Sequence, residues 1–354
     1  MTNRFRWLAL AWCLLVAAPF PAAAQKSTAP VCSDRTNELR AAIADVHRRQ
    51  RNVGLAAVVM HHGQTVLTEN LGYADLENRV AVTSATRFGV ASINKAFTGL
   101  ALLKLHEKGR IDLDAPIQRY VPAFPVKPAG IITPRLLAAH LAGIRHWGRE
   151  RDATLYARHF NDINEVLSLF KDDTLIAVPG TGYNYSSYGY NLIGAAIQSA
   201  SGTKYEDFVR REIIAPLGLK DTGFDDVRRV LPNRARRYSY YDPWTFAVDS
   251  VNVYRVPDWD YSHNPAGGNM YSTAADLARF GRAIEKPGLI SRESLALLTK
   301  RPRVGSVESS MSFGFFVSPD SAAHRRLNIG GSNAGTAIRA CRLSRRRSGH
   351  LACR

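Results

Sequence analysis

Strand patterns stand at both ends of this 354-residue chain, and the stretch between them reads mainly as helix. Near the start, Val53 to Met60 is a β-rich apolar run and Thr65 to Leu71 a second one. The turn-like His61-His62-Gly63-Gln64 between them predicts a hairpin. Near the end, Met311 to Val317, Arg325 to Ile329 and Gly335 to Ile338 have strand character. A helix over Asn37 to Arg51 should precede the hairpin. A long helix begins near Ser92, runs through Phe97, Leu100, Leu103 and Leu105, and closes at Gly109. Shorter helices are expected over Ile132 to Leu141, Asp162 to Phe170, Tyr188 to Ser199 and Tyr205 to Ile214. Another runs over Ala274 to Ile284, capped by Ser272-Thr273. Arg228 to Asn264 is aromatic and polar without a period and reads as a surface excursion. The pattern implies an α/β (α+β) fold: an antiparallel sheet from both chain ends flanked by helices, a mostly helical insertion, and a site at their junction.

The N-terminus carries the marks of a secretory signal. Arg4 and Arg6 precede an apolar run from Trp7 to Ala18, and Ala22-Ala23-Ala24 offers a cleavage site after Ala24. Residues 1–24 are thus expected to be removed, which places the mature protein in the periplasm or outside the cell. No later apolar run is long enough for a membrane span. Cys32, Cys341 and Cys353 remain after cleavage, too few and too terminal for a disulfide framework. The formal charge of +17 raises the question of nucleic acid. From Ser321 onward, however, eight arginines occur and no acid, so much of the excess is terminal. No nucleic-acid motif accompanies it, and no nucleic-acid partner is expected.

Three Ser-x-x-Lys strings occur, so spacing alone decides nothing. Ser168 to Lys171 ends an amphipathic helix and runs into Asp172-Asp173. Ser201 to Lys204 holds Gly202 between two helices. Both read as turn or surface. Ser92 differs. It lies among Phe88, Val90, Ala91 and Ile93, where a strand-like stretch turns into a helix. Free amides and the positive helix end favour the charge that develops when a serine attacks a carbonyl. Lys95, one turn on, shares its face. A lysine in apolar surroundings must be paired or lose its proton, and either state helps to deprotonate a hydroxyl.

Such a site needs a second proton carrier and an oxyanion hole. Tyr183, Tyr185, Tyr188 and Tyr190 crowd one glycine-rich stretch. A phenol beside an ammonium titrates below its usual value and can act as base, whereas packing around the turn accounts for its neighbours. One oxyanion donor is the Ser92 amide. A second is sought in the glycine-rich run from Asn328 to Gly335, which follows a strand-like segment.

At these residues the chain resembles the serine β-lactamase-like family, with the penicillin-binding-protein and class C β-lactamase fold. The stretches that carry the likeness include "TRFGVASINKAFTGLALLKLHEKGRIDLDAPIQRYVPAFP", "LLAAHLAGIRHW", "PGTGYNYSSYGYNLIGAAIQSASG", "IIAPLGLKDTGF" and "AGGNMYSTAADLARFGRAI". The chain looks nearest to the branch of the mitochondrial serine β-lactamase-like protein. The resemblance implies a serine hydrolase domain over about residues 36–338, acting through an acyl-enzyme on an amide or ester of a small-molecule or peptide substrate. It implies no metal and no cofactor. Ser92 matches the family nucleophile, Lys95 its lysine, and Tyr185 the tyrosine of the Y-x-N motif. Gly330 and Gly331 match the glycines of the third motif, with the Gly331 amide as second oxyanion donor. His140 and His146, in "HLAGIRH", read as structural.

Three departures from the family pattern stand out. Ser187 replaces the asparagine of Y-x-N, and a hydroxyl reaches less far. Asn328 stands where lysine or histidine precedes the two glycines. This removes a cation that would hold a substrate carboxylate, so weaker selection for β-lactam-like substrates is expected. Arg326, two residues back on the same strand face, is a partial substitute. Beyond Ile338 the basic stretch 339–354 shows no apolar period, and it reads as a frameshift or truncation in preference to a native tail. Asn328 and this ending also support a second reading, a degenerate family member serving as a binding or self-assembling scaffold.

Overall fold

The computed structural model describes residues 33–148, 152, 155–245, 247–284, 288–319 and 324–345, with the side chains of 33–34, 324–326 and 341–345 left out. Residues 1–32, which include the expected signal segment, and residues 346–354 lie outside the described residues. The architecture is mixed α/β with antiparallel sheets, as the strand and helix pattern implied.

Helix α1 (Ser33–Arg49) leads into β1 (Gly54–His61) and β2 (Gln64–Asp75). His62 and Gly63 close this hairpin, both at positive φ (48° and 79°), the geometry whose twist matches two right-twisted strands. At the other end, β3 (Phe315–Val317), β4 (His324–Asn333) and β5 (Thr336–Arg345) form an antiparallel ladder, with Gly331 opposite Ile338. The hydrogen-bonded order keeps the two ends in separate sheets, where a single sheet had been expected. The helix Ala274–Ala283 packs against both β1 and β5 and links them through side chains. The last strand runs past Ile338 to Arg345, because pairing with β4 supplies backbone bonds that need no apolar period.

Between the sheets lies α2 (Asn94–Glu107). It is apolar around its whole circumference, and Phe97, Leu100, Ala101, Leu102 and Leu103 are fully buried, as a helix hydrophobic on all faces must be. Phe97 stacks on Phe280 at 4.0 Å. Helix α3 (Ser187–Ser201) packs across α2. Its start is set by Ser186, whose Oγ accepts from the Gly189 amide, and its end by Gly202 at positive φ (70°). Several expected helices are shorter than their apolar pattern. Ile132 to Leu141 contains only Pro134–Ala138, and Asp162 to Phe170 only Ile163–Leu167, both with side-chain caps. Tyr205 to Ile214 changes to a π turn at Arg210. A helix at Arg292–Thr299, capped by Ser291, had no forecast. Among the described residues no helix is long and apolar enough to cross a membrane.

The segment before β3 presses directly on α2. A methyl group at Gly99 would lie 2.0 Å from the Phe313 carbonyl oxygen. Helix propensity alone makes Gly99→Ala stabilising by about 1 kcal/mol. The collision reverses the sign. The expected outcome is a net loss of about 1–3 kcal/mol, as for other overpacked cores, seen as a lower urea midpoint at unchanged slope.

Candidate active site

Ser92 sits in a 3-10 turn, Ala91–Ile93, between the short strand Phe88–Gly89 and the start of α2. Ala91 is held at φ 47°, a conformation that costs energy outside glycine. The turn leaves Ser92 half-exposed while its neighbours Ala91 and Ile93 are buried. Lys95, one turn along, is fully buried. Its Nζ donates to Ser92 Oγ at 3.2 Å, to Ser187 Oγ at 2.9 Å and to the Gly267 carbonyl at 2.6 Å. On the other side of Ser92, Tyr185 Oη hydrogen-bonds Ser92 Oγ at 2.7 Å. The structure thus brings Ser92, Lys95, Tyr185 and Ser187 into one cluster. The Ser187 hydroxyl reaches the lysine despite its length because it opens α3, directly against α2.

Burial lowers the Lys95 pKa, and the nearby Tyr185 only partly restores it. For Tyr185, burial pushes upward, but the Lys95 charge and hydrogen bonds from Lys95, Ser92 and Ser187 prevail and bring the phenol below its ordinary value. Its three neighbours go the other way. Burial raises Tyr183 to about 12 and also raises Tyr188 and Tyr190. Tyr188 stacks on Phe170 at 4.6 Å, and Tyr190 gives its hydroxyl to the Ala138 carbonyl at 2.9 Å. One phenol of the four is therefore poised to exchange a proton with a serine.

Gly331 lies where β4 passes Ser92. A methyl there would stand 2.2 Å from the Val90 carbonyl oxygen and 2.9 Å from the Ser92 nitrogen, so only glycine permits the approach. Gly330 and Asn328 precede it on the same strand, opposite Arg339 and Cys341. The Arg326 backbone pairs with Leu343, and its side chain lies outside the described residues.

A sequence model of the family described as Beta-lactamase matches residues 39–344. The chain belongs to the beta-lactamase family. It is 32% identical over 308 residues to the human serine beta-lactamase-like protein LACTB, mitochondrial, an alignment covering 68% of this chain and 55% of that protein. The chain thus spans about half the length of the curated relatives it matches. Protein flp from Staphylococcus aureus (strain MW2) is 32% identical over 223 residues, covering 62% of this chain and 43% of that protein. Among solved structures, the octameric penicillin-binding protein homologue from Pyrococcus abyssi superposes at TM-score 0.73 with 24% identity, covering 87% of this chain and 70% of that one. The D-amino acid amidase from Ochrobactrum anthropi SV3 superposes at 0.69 with 25% identity, covering 86% and 91%.

Two features of this beta-lactamase family member escaped the motif reading. The first is the Pro265-Ala266-Gly267 segment. Its three successive carbonyls accept from Asn94 Nδ2, Thr98 Oγ1 and Lys95 Nζ, each at 2.6 Å, which fastens it across the first turn of α2. The "AGG" string is visible in the sequence, but its carbonyl chemistry is not. The second is the pair of histidines. His140 Nδ1 accepts the Ser186 amide at 3.1 Å and His146 Nδ1 the Ser187 amide at 3.2 Å. Their rings flank Tyr185, with centroids at 4.4 Å and 5.5 Å. Each imidazole must therefore be neutral, with its proton on Nε2. They are structural, as their motif suggested, but what they hold in place is the phenol. Below them Arg145, half-buried, pairs with Asp152 at 2.8 Å and Asp173 at 2.6 Å, and its carbonyl receives the Ser186 hydroxyl at 2.7 Å.

Burial first, and the Lys95 charge second, pull the His146 pKa down from 6.5 to about 4. Below about pH 6.5 an unfolded chain binds a proton here that the folded chain refuses until about pH 4. This stabilising contribution is whole above that upper value and disappears as pH falls through the lower one. His146→Asn keeps an acceptor at the δ position and removes the titration. Urea unfolding of both proteins between pH 7 and 4 should show a shallower acid loss in the variant; identical slopes would assign the loss to other groups.

Proposed function

We propose that the chain is a serine hydrolase working through an acyl-enzyme on an amide or ester bond. What carries this reading is the contact set at one oxygen: Ser92 Oγ lies 2.7 Å from a phenol with lowered pKa and 3.2 Å from a fully buried amine. In the reactive state the phenolate takes the Ser92 proton while Lys95, as ammonium, donates to the same oxygen and steadies the phenolate. Ser92 then attacks the carbonyl. The Ser92 and Gly331 amides hold the oxyanion, each donor contributing about 3 kcal/mol in comparable sites. Tyr185 returns its proton to the leaving group. It next activates a water that cleaves the acyl-enzyme. The buried Gly267 contact keeps the lysine aligned through both halves of the cycle.

The scaffold reading differs in one observable. A fluorophosphonate should add one adduct mass to the intact protein, located at Ser92, and Ser92→Ala should stay unlabelled. A folded wild-type protein that takes no label would favour the scaffold. Tyr185→Phe and Lys95→Ala should each lower kcat by about 10²–10⁴-fold, the usual worth of a positioned base. Activity should rise with pH through the titration of the Tyr185–Lys95 pair, below the ordinary range of an isolated phenol or amine.

Position 328 offers an amide where a cation would grip a carboxylate. A neutral short-chain ester is therefore expected to turn over better than nitrocefin, and efficient turnover of nitrocefin alone would contradict this. For location, the N-terminal pattern from Arg4 to Ala24 supports export to the periplasm or beyond. The word mitochondrial belongs to the mammalian relatives' names. The Pyrococcus abyssi neighbour is described as octameric, which favours self-association here too, readable by sedimentation.

A further inference from the structure

Two fully buried hydroxyls behind the reactive cluster take no part in the chemistry described above. Thr98 lies on α2 one turn beyond Lys95, and Tyr205 opens the helix Tyr205–Val209, which packs against α2. Apolar side chains of similar shape would fill both places without the cost of burying oxygen. Thr98 Oγ1 lies 2.6 Å from the Ala266 carbonyl oxygen, 3.2 Å from the Asn94 carbonyl oxygen and 2.7 Å from Tyr205 Oη. A hydroxyl carries one hydrogen, and carbonyls only accept. The hydrogen goes to the nearer carbonyl, Ala266, so Thr98 Oγ1 must accept from the phenol. A threonine in a helix ordinarily turns its hydroxyl back on the carbonyl four residues earlier. Here the shorter bond leaves the helix. Burial holds the Tyr205 pKa far above its ordinary value, which keeps the phenol a donor. Donation therefore runs one way, from Tyr205 through Thr98 to Ala266.

What these bonds fasten is the acceptor of the reactive lysine. Ala266 is joined to Gly267, whose carbonyl accepts from Lys95 Nζ at 2.6 Å, closer than either serine contact. The Ser92 and Ser187 hydroxyls can donate or accept as their hydrogens turn, whereas a carbonyl can only accept. It therefore favours the protonated amine over the neutral one. Gly267 and Gly268 bring no side chain to anchor the segment, and their amides return to the Asn264 carbonyl at 3.3 and 3.0 Å. Ala266 packs on Gly194 of α3, where a methyl would stand 2.7 Å from its Cβ. That contact sets the depth of the segment and leaves the direction of its carbonyls to two bonds from α2: Asn94 Nδ2 on Pro265 and Thr98 Oγ1 on Ala266. Asn94 Oδ1 lies 3.5 Å from the same Tyr205 hydroxyl, so both anchors meet at that phenol.

We propose that Thr98, backed by Tyr205, is a positioning residue for the reaction at Ser92: it aims the Gly267 carbonyl at Lys95 and so holds the amine against Ser92 and Tyr185. This rests on Ser92 being the reacting group. Thr98 touches no reacting atom, and its effect passes through one backbone carbonyl. Besides that carbonyl and the two serines, the amine faces the Tyr185 phenol, the Tyr190 ring at 5.6 Å and the neutral imidazoles of His140 and His146. All of these groups stay chemically unchanged when Thr98 is replaced.

Carbon-13 NMR titration of the full chain labelled at lysine Cε reads the amine directly, with the Lys95 signal identified by its loss in Lys95→Met. Lys95 should titrate below an ordinary lysine. Thr98→Val should lower its midpoint further by about half a pH unit or more, because an ammonium deprived of a charge-assisted bond releases its proton sooner. Thr98→Ser should titrate as the wild type does, and Tyr205→Phe should fall between. Fluorophosphonate labelling of Ser92, per folded molecule, should slow at least about tenfold in Thr98→Val and recover in Thr98→Ser. A helix that had merely lost packing would unfold at lower urea with the lysine midpoint unmoved. An unmoved midpoint or an unchanged labelling rate in Thr98→Val, or equal impairment of Thr98→Ser and Thr98→Val, overturns the proposal. Should the valine methyl not fit against the Ala266 carbonyl, Thr98→Ala, which adds no atom, is read in the same way and overturns it by the same results. The lysine titration does not use the reactivity of Ser92. A wild type that takes no label therefore counts against the hydrolase reading, while the lysine midpoints still decide whether Thr98 aims the carbonyl.

Discussion

A primary amine buried with neutral partners only is the constraint around which this molecule is arranged. Lys95 Nζ is enclosed by the Ser92 and Ser187 hydroxyls, the Gly267 carbonyl and the Tyr185 phenol. Removing an ammonium from water is expensive, and among the described residues no carboxylate offsets it. The surroundings depress its basicity and let a neighbouring phenol share the proton. The four enclosing groups arrive from three parts of the chain: the turn before α2, the start of α3 with the loop just before it, and the segment before strand Met270–Ser272. Displacing any of these segments would expose the amine or leave it unsatisfied. The fold and the geometry at Ser92 therefore depend on the same contacts.

The phenol is held as carefully as the amine. Tyr185 lies in a loop, where a side chain would ordinarily sample several rotamers. Two imidazoles accept the amides that follow it and pack on its ring, while the Ser186 hydroxyl bonds the Arg145 carbonyl. His140 adopts a positive φ of 59°, and its buried Nε2 finds no partner among the described residues. Both are costs of order 1–3 kcal/mol that a merely packed histidine has no reason to carry. They fit a loop whose conformation is fixed for the position of one oxygen.

The strand carrying Gly331 offers different chemistry at its two ends. Asn328 at one end gives a neutral amide, and Asn333 at the other borders a cavity with an arginine in its wall. The chain's basic ending joins the same sheet as far as Arg345 through backbone pairing. Such pairing is indifferent to side-chain period, which is why the hydropathy pattern stopped at Ile338 while the ladder did not.

Local order was legible in the residues themselves. Apolar periodicity and small-hydroxyl caps located the hairpin, α2, α3 and the Ala274–Ala283 helix, because those signals act within a few residues. A half-exposed serine three positions before a buried lysine could be read from the apolar residues around them, since one helical turn brings the two together. The choice of Tyr185 among four tyrosines came from likeness to a motif, not from any local signal. Its contact with Ser92 spans 93 positions, and the Lys95 contact with Gly267 spans 172. No periodicity encodes distances of that kind. The contacts of His140, His146 and Gly267 are likewise set by tertiary structure alone. Each depends on which backbone group or open space faces a side chain once separate segments have packed, and that is a property of the assembled core.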